Sequence, residues 1–445
     1  MPNLKRRLSI AFAAVLLLAS RGVIAIPTLE HWQTSNGVPV YFIPAHELPM
    51  VDIQILFKAG SAYDDQQPGL AKLTNALLNE GAGQWSADDI ADRLDKVGAQ
   101  FGSSSQRDSA IISLRSLTDP RYLQPSVETV AQLLQQPTFA PEALERLKQH
   151  MLTALQEQAQ SPRAIAYNTF YEALYGNHPY GSPPDGTEAS IKSMTRADVQ
   201  AFHRRYYTAS NAVIALVGDL DRATAEKWVE TLASHLPKGQ PVPALPPVPP
   251  VAKSRTIRIA HPSSQSHILI GQIGVRRTNP DYYALYLGNH VLGGNGLVSL
   301  LSQEIREQRG LSYSVYSLFS PMQQAGPFLM NMQTRNDQVD VALQVARKTL
   351  QTFTTDGATP QALQEARQNI IGSFALNLAG NRKLVNYLGL IAFYRLPLDY
   401  LQHFINTMNG ITLDQVNAAW RQQIQPDRQI TVVVGGEQQK PATTP

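Results

Sequence analysis

The chain contains no cysteine among its 445 residues. Disulfides, thiolate zinc sites, iron–sulfur clusters and a cysteine nucleophile are therefore excluded. Beyond residue 25 there is no run of Lys or Arg, so a nucleic-acid partner has no electrostatic footprint and none is expected. Histidines number ten, and no two stand three or four positions apart, the spacing that would aim two imidazoles from one helix at one metal. No G-x-S-x-G nucleophile elbow is present. Gly293-Gly294-Asn295-Gly296 lacks the following Lys-Ser/Thr of a phosphate loop and comes after a predicted helix, so it reads as a tight turn where backbone can approach closely.

What is present is an ordinary globular balance, 43% hydrophobic with 28 Gly and 30 Pro, and length for two or three domains of roughly 150 to 200 residues each. Residues 1–25 read as a cleavable signal peptide. Lys5, Arg6 and Arg7 precede an apolar stretch, Leu8 to Ala19, that is short for a membrane span, and small residues lead to cleavage after Ala25. Its removal takes four of the 38 basic residues and none of the 35 acidic ones, so the net charge passes from +3 to −1. The expectation is export to a periplasm, with no membrane span in the mature chain.

Residues 237–250, PKGQPVPALPPVPP, hold seven prolines and cannot sustain a helix. They divide the mature chain into 26–236 and 251–436, with a polar tail at 437–445. The halves look like distant copies. Thr195-Arg196-Ala197-Asp198 and Thr412-Leu413-Asp414-Gln415 both read as capping boxes, each leading through a helix to a strand that ends in glycine. Pro141-Glu142-Ala143-Leu144-Glu145 matches Pro360-Gln361-Ala362-Leu363-Gln364, with proline at a helix start. The offsets are 217 and 219 positions. Val51, Ile53, Ile55 and Phe57 alternate as a strand does, and Val38–Ile43 reads as its hairpin partner. Helices are expected at 67–80, 86–98, 120–135, 141–157 and 162–175, then at 280–292, 298–307, 336–354 and 360–379. The fold class is α+β: two homologous α/β sandwich domains, each a mostly antiparallel sheet with helices on one face.

In Leu300–Ser317 a helix ends near Gly310 and a strand follows. Arg306 and Tyr313 would share that corner, where a guanidinium fork and a phenol could grip a peptide carbonyl or an oxyanion. A solvated Arg and a sheet-packing Tyr fit the pattern as well.

The duplicated halves, the Pro-rich link, NHPYGSPPDGT at 177–187 and GGNGLVSLLSQEIREQRGLSYSVYS at 293–317 together resemble the pitrilysin/insulinase family of zinc peptidases, in its short form akin to mitochondrial processing peptidase and the core subunits of cytochrome complexes. The resemblance covers nearly the whole mature chain and implies the LuxS/MPP-like metallohydrolase fold. It implies that Arg306 and Tyr313, seven positions apart after the turn Gly293, Gly294, Asn295, contact substrate peptide. Active members carry H-x-x-E-H in the first helix of the first half, two His as zinc ligands and Glu as base, and a third ligand seven residues after a Glu-Arg pair. Here Lys72 and Ala76 stand at the His positions, Asn75 at the base and Leu152, seven after Glu145, at the third ligand.

By that resemblance the chain is expected to be a non-catalytic, substrate-binding subunit of a periplasmic zinc metalloendopeptidase heterodimer. It would hold no cofactor itself, with zinc in an HxxEH-bearing partner. Peptide or unfolded protein would join an exposed strand edge, here Gly102–Ser105. Two alternatives stay open: a structural or peptide-binding core-type subunit with no role in proteolysis, and an active zinc peptidase with atypical ligands.

Overall fold

In the computed structural model, which describes residues 28–436, the first half supplies strands β1 (Glu30–Gln33), β2 (Pro39–Pro44), β3 (Met50–Phe57), β4 (Gly81–Ala82), β5 (Trp85–Ser86), β6 (Gln100–Ser105), β7 (Ala110–Leu117) and β8 (Ala212–Gly218). Six of them form a sheet in the order β1-β2-β8-β3-β7-β6, and β4 and β5 make a short ribbon of their own. The second half supplies β9 (Arg255–Ile259), β10 (Gln265–Ile273), β11 (Val315–Phe319), β12 (Pro327–Arg335) and β13 (Ile430–Val434), in the order β11-β12-β10-β13-β9. Taken from the opposite edge, the second sheet repeats the first without β1. In each, one pair is parallel (β2 with β8, β9 with β13) and the rest are antiparallel.

The hairpin expected between Val38–Ile43 and β3 does not form. β8 lies between them, parallel to β2 and antiparallel to β3. Its sequence AVIALVG is apolar on both faces, which belongs at a covered sheet centre rather than at an edge. The repeat read in the sequence extends to the strands: β7 begins at Ala110 and β12 at Pro327, 217 positions on. Both capping boxes are formed, Thr195 with Asp198 and Thr412 with Gln415. The paired proline-led helices are Pro141–Ala159 and Pro360–Leu378.

Each half packs its own helices on one face of its sheet. The opposite face is covered by a helix lent from the other half. Pro162–Tyr175 lies on the second sheet, where Phe170, Leu174 and Tyr175 join a core with Leu269, Val432 and Val434. Asn381–Phe393, starting 219 positions later, lies on the first, where Leu384, Val385, Leu388 and Ile391 pack on Tyr41, Ile43, Ala215 and Val217. Gly271 of β10 permits the close approach, since a Cβ there would stand 2.7 Å from Cζ of Phe170.

Residues 237–250 form neither helix nor strand but are laced to both halves. Ala209 N–H donates to the Pro237 carbonyl at 2.9 Å, and Gln324 Nε2 of the second half donates to the Leu245 carbonyl at 2.8 Å. Among the described residues no helix is long and apolar enough to cross a membrane. The signal peptide read at 1–25 and the tail at 437–445 lie outside the described residues.

Candidate functional site

The helix Leu70–Ala76 carries three of the positions singled out in the sequence. Its start is fixed by Asp64, whose two carboxylate oxygens accept the N–H groups of Gly69 and Ala71, both at 2.7 Å. Burial pushes the Asp64 carboxyl up to about 8 against these two donors. A turn of 3₁₀ helix, Leu77–Asn79, then ends the segment near the expected place.

Two of the three motif positions on this helix, Lys72 and Asn75, are hydrogen-bonded to other parts of the first half. Lys72 Nζ donates to Asp185 Oδ1 at 2.6 Å, and Gln158 Nε2 of helix Pro141–Ala159 donates to Asp185 Oδ2 at 3.1 Å. Burial alone would raise the Asp185 carboxyl. The Lys72 hydrogen bond and charge, with help from Gln158 and Arg107, outweigh it and hold the group below its ordinary value. Asn75 is buried: its Nδ2 donates to the Ser104 carbonyl of β6 at 2.7 Å, and its Oδ1 accepts from Tyr207 Oη at 3.2 Å. Ala76 has no donor atom. Leu152 packs its side chain against the first-half core. An ammonium, a carboxamide, a methyl and an isobutyl group do not fit Zn²⁺, which takes imidazole, carboxylate or thiolate. Among the described residues no three of His, Cys, Asp or Glu cluster as a metal set.

The second-half corner is built differently. The helix expected at 298–307 breaks into a 3₁₀ turn, Gly296–Val298, and a π-helical stretch, Ser302–Glu307. Arg306 Nε approaches Glu307 Oε1 at 3.3 Å, and Tyr313 is 87% exposed, with Leu297 and Val298 of the 3₁₀ turn also exposed. Tyr313 is therefore not a sheet-packing residue. That role falls to Tyr316, whose Oη lies 3.1 Å from Tyr167 Oη. Gly293 is buried, and a Cβ there would meet Ser317 Oγ at 2.4 Å, so it serves packing. Gly294 and Asn295 stand where the chain leaves the helix. Among the described residues no hydrogen bond or ion pair joins Arg306 or Tyr313 to Lys72, Asn75, Ala76 or Leu152.

Between the halves lies a cleft of about 660 Å³. Its walls include Ser104 and Ser105 of β6, Gln54 and Ser113 of the sheet face, and Arg277 and Tyr394 of the second half. Since β6 pairs only with β7, its outer edge is a free edge of the first sheet. Within the β6–β7 turn, Asp108 bolts the halves together. It accepts Tyr180 Oη at 2.6 Å, Gln323 N–H at 2.8 Å and Tyr394 Oη at 3.0 Å. Burial raises the Asp108 carboxyl, and these three donors partly offset the rise.

Sequence reasoning did not single out Asp185, Asp108, Tyr207 or Arg277. The segment 177–187 was noticed as a whole, and it contains both Tyr180 and Asp185. Their partners were hidden because Lys72 is 113 positions from Asp185 and Tyr394 is 286 from Asp108.

The sequence matches two known profiles. Residues 42–188 match "Insulinase (Peptidase family M16)" and residues 193–370 match "Peptidase M16 inactive domain". The "Uncharacterized zinc protease YmxG" of Bacillus subtilis is 24% identical over 91% of this chain and 98% of its own. The "Non-peptidase homolog YmxG" of Helicobacter pylori is 26% identical over 91% of this chain and 94% of its own. A crystal structure of a "peptidase M16 inactive domain" from Pseudomonas fluorescens superposes with a TM-score of 0.89 at 38% identity, covering 93% of this chain and 99% of that one. A protease structure from Helicobacter pylori, at 19% identity and a TM-score of 0.84, shares the fold. The chain belongs to the insulinase (M16) peptidase family and has the two-domain fold of that family.

Proposed function

We propose that this chain is a non-catalytic, substrate-binding subunit of a periplasmic zinc metalloendopeptidase, holding peptide for a partner that carries the metal. The observation that carries this reading is the bonding of the first helix. Lys72 is held by Asp185, and Asn75 is spent on Ser104 and Tyr207, so the motif positions have become a structural contact. The bearing of a "Non-peptidase homolog" among the relatives is consistent with it.

In this reading, hydrolysis by metal-bound water has no seat in the chain, because neither the ligands nor a carboxylate base stand at the motif positions. What the chain offers is grip. The outer edge of β6, which pairs with no other strand, is open to an extended peptide, with the Ser104 carbonyl already held by Asn75. In this reading the exposed Tyr313 and the half-exposed Arg306 add side-chain contacts to the same peptide. Two chains closing on one substrate bring such a grip and a partner's zinc to one bond.

The test is capture of the tagged mature chain from its own periplasm. Recovery of a stoichiometric HxxEH-bearing protein supports the reading. In the reconstituted pair, Arg306→Ala should lower peptide cleavage at least tenfold. Recovery of the chain alone, or cleavage untouched by Arg306→Ala, favours a core-type structural subunit instead.

A further inference from the structure

Arg277 borders three cavities at once: the interdomain cleft of about 660 Å³, an aromatic pocket of about 300 Å³ and a second pocket of about 300 Å³ that also contains Lys58 and Arg395. Its guanidinium sits between two rings, 5.1 Å from the centre of Tyr282 and 5.6 Å from that of Tyr394. Among the described residues it makes one hydrogen bond, Nη2 donating to the Pro321 carbonyl at 3.3 Å. Its Nε is buried with no partner, and no carboxylate pairs with it among the described residues. An unmatched cation of this kind is costly to bury, and the fork geometry of a guanidinium is matched by a carboxylate.

The surroundings strengthen the point. Arg107 lies in the same cleft with its guanidinium 3.7 Å from the Tyr171 ring centre, and it too lacks an acidic partner within ion-pair distance among the described residues. Lys58 is half-buried, and the acid nearest to its influence, Asp108, already accepts three hydrogen bonds. Arg107 and Arg277 of the cleft and Lys58 of the adjoining pocket thus have no ion-pair partner among the described residues, and Asp108, engaged by its three donors, is the one carboxylate that lines the cleft. Beside Arg277 the aromatic pocket is walled by Tyr282, Tyr286, Tyr387, Tyr400 and Phe404, a lining suited to one large apolar or aromatic side chain.

We infer that Arg277 receives the terminal carboxylate of an extended peptide, with the aromatic pocket taking that peptide's last side chain. The inference rests on the peptide-binding reading above and deepens it. The cleft that holds Arg277 is also walled by Ser104 and Ser105 of the free-edge strand, so one occupant can add to β6 and reach Arg277. The partner is thereby defined chemically: a peptide with a free carboxyl end on a large apolar residue.

The experiment is calorimetric titration of the full mature chain with acetyl-Ala-Thr-Val-Thr-Phe as the free acid and as its amide. The free acid should bind roughly tenfold or more tightly, the usual weight of a charge-assisted hydrogen-bonded pair. Arg277→Gln should abolish that preference, and Arg277→Lys should retain part of it, with thermal unfolding checking that each variant is folded. Replacing the terminal Phe by Ala should weaken the free acid several-fold. Equal binding of acid and amide overturns the inference while leaving peptide binding standing. Binding of neither overturns both readings. A preference that survives Arg277→Gln overturns the role of Arg277, since the carboxylate then docks elsewhere.

Discussion

Tyr207 Oη donates to Asn75 Oδ1 at 3.2 Å, and the same carboxamide donates from its other end to the Ser104 carbonyl at 2.7 Å. Asn75 is thus a buried spacer. It ties the first helix to β6 and to the phenol that follows the helix Arg196–Tyr206. A carboxylate could accept from Tyr207 but would face the Ser104 carbonyl with no proton to offer. Asn75→Asp is therefore expected to destabilise the chain by about 2 kcal/mol at neutral pH. The penalty should shrink at pH 4, where a protonated acid donates again. Urea unfolding of both chains at the two pH values measures it, and an equal penalty at both would argue against the geometry.

Metal removal gives a second prediction. With Lys72 paired to Asp185 and no acidic or imidazole triad among the described residues, chelators should leave the unfolding temperature where it was. A resident metal would have stabilised the fold by mass action, and its loss would lower that temperature. The combined change Lys72→His, Asn75→Glu, Ala76→His and Leu152→Glu should introduce zinc binding, detected as one bound zinc per chain and a new sensitivity to chelator. A chelator-sensitive unmodified chain would revive the atypical-ligand alternative.

His203 sets a pH dependence of stability. Its ring is buried against Tyr207 and Phe139, and Nε2 lies 3.1 Å from the Leu134 carbonyl, so the neutral ring donates there. Burial lowers its pKa from 6.5 to about 4, against the pull of that hydrogen bond. The unfolded chain thus takes up the proton first as pH falls. The stabilisation is complete above pH 6.5 and is lost progressively down to pH 4. At pH 5 the loss amounts to about 2 kcal/mol. His203→Gln, which can still donate to Leu134, should flatten this part of the profile, and denaturant unfolding between pH 4 and 7 would show it.

Asp108 joins Tyr180 of the first half to Tyr394 and the Gln323 backbone of the second. Asp108→Leu would leave two phenols and one N–H without their acceptor in a mostly buried place. The expected cost is about 3 to 5 kcal/mol. The readout beyond stability is faster proteolytic cutting within 237–250, because the link is held by both halves and loosens when they separate. Unchanged cutting would mean that the halves are joined chiefly elsewhere.

Much of this architecture is written in local pattern. The capping boxes at Thr195 and Thr412, the prolines at 141 and 360 and the alternation along β3 each declare an element within a few residues, and the shared offset declares the duplication. The sheet order is not written that way. β8 meets β2 through some 170 intervening positions, and short-range pattern favoured a hairpin that β8 displaces. That Lys72, Asn75, Ala76 and Leu152 would be replacements with the wrong donor atoms for zinc follows only from the motif with which the resemblance aligns them. The partners of those replacements were not legible, since Asp185 and Ser104 reach Lys72 and Asn75 only through tertiary packing. Arg277 was silent for the same reason: its character comes from the carboxylates it lacks, which no window of sequence reveals.

The lent helices make a last prediction about separability. Phe170 of the first half is fully buried and packs with Leu269 and Val432 on the second sheet, with its ring tip in the space left by the missing Cβ of Gly271. The reverse loan places Leu388 and Ile391 on Ala215 and Val217. Each half expressed by itself would expose both its unpaired sheet face and its own orphaned apolar helix, the kind of surface that aggregates. Residues 26–236 and 251–436 made separately should be insoluble, and made together they should recover as a one-to-one complex. Within the intact chain Phe170→Ala should cost about 3 to 5 kcal/mol by opening a cavity between helix and sheet. Gly271→Ala should be harmful too, because the added methyl meets both the Phe328 carbonyl of the neighbouring strand and the Phe170 ring. Deleting the ring in the double variant leaves the backbone clash in place, so Phe170→Ala should relieve only part of the Gly271→Ala loss. A double-mutant cycle in urea measures the coupling directly, and full recovery in the double variant would mean that the ring, not the Phe328 carbonyl, sets the cost.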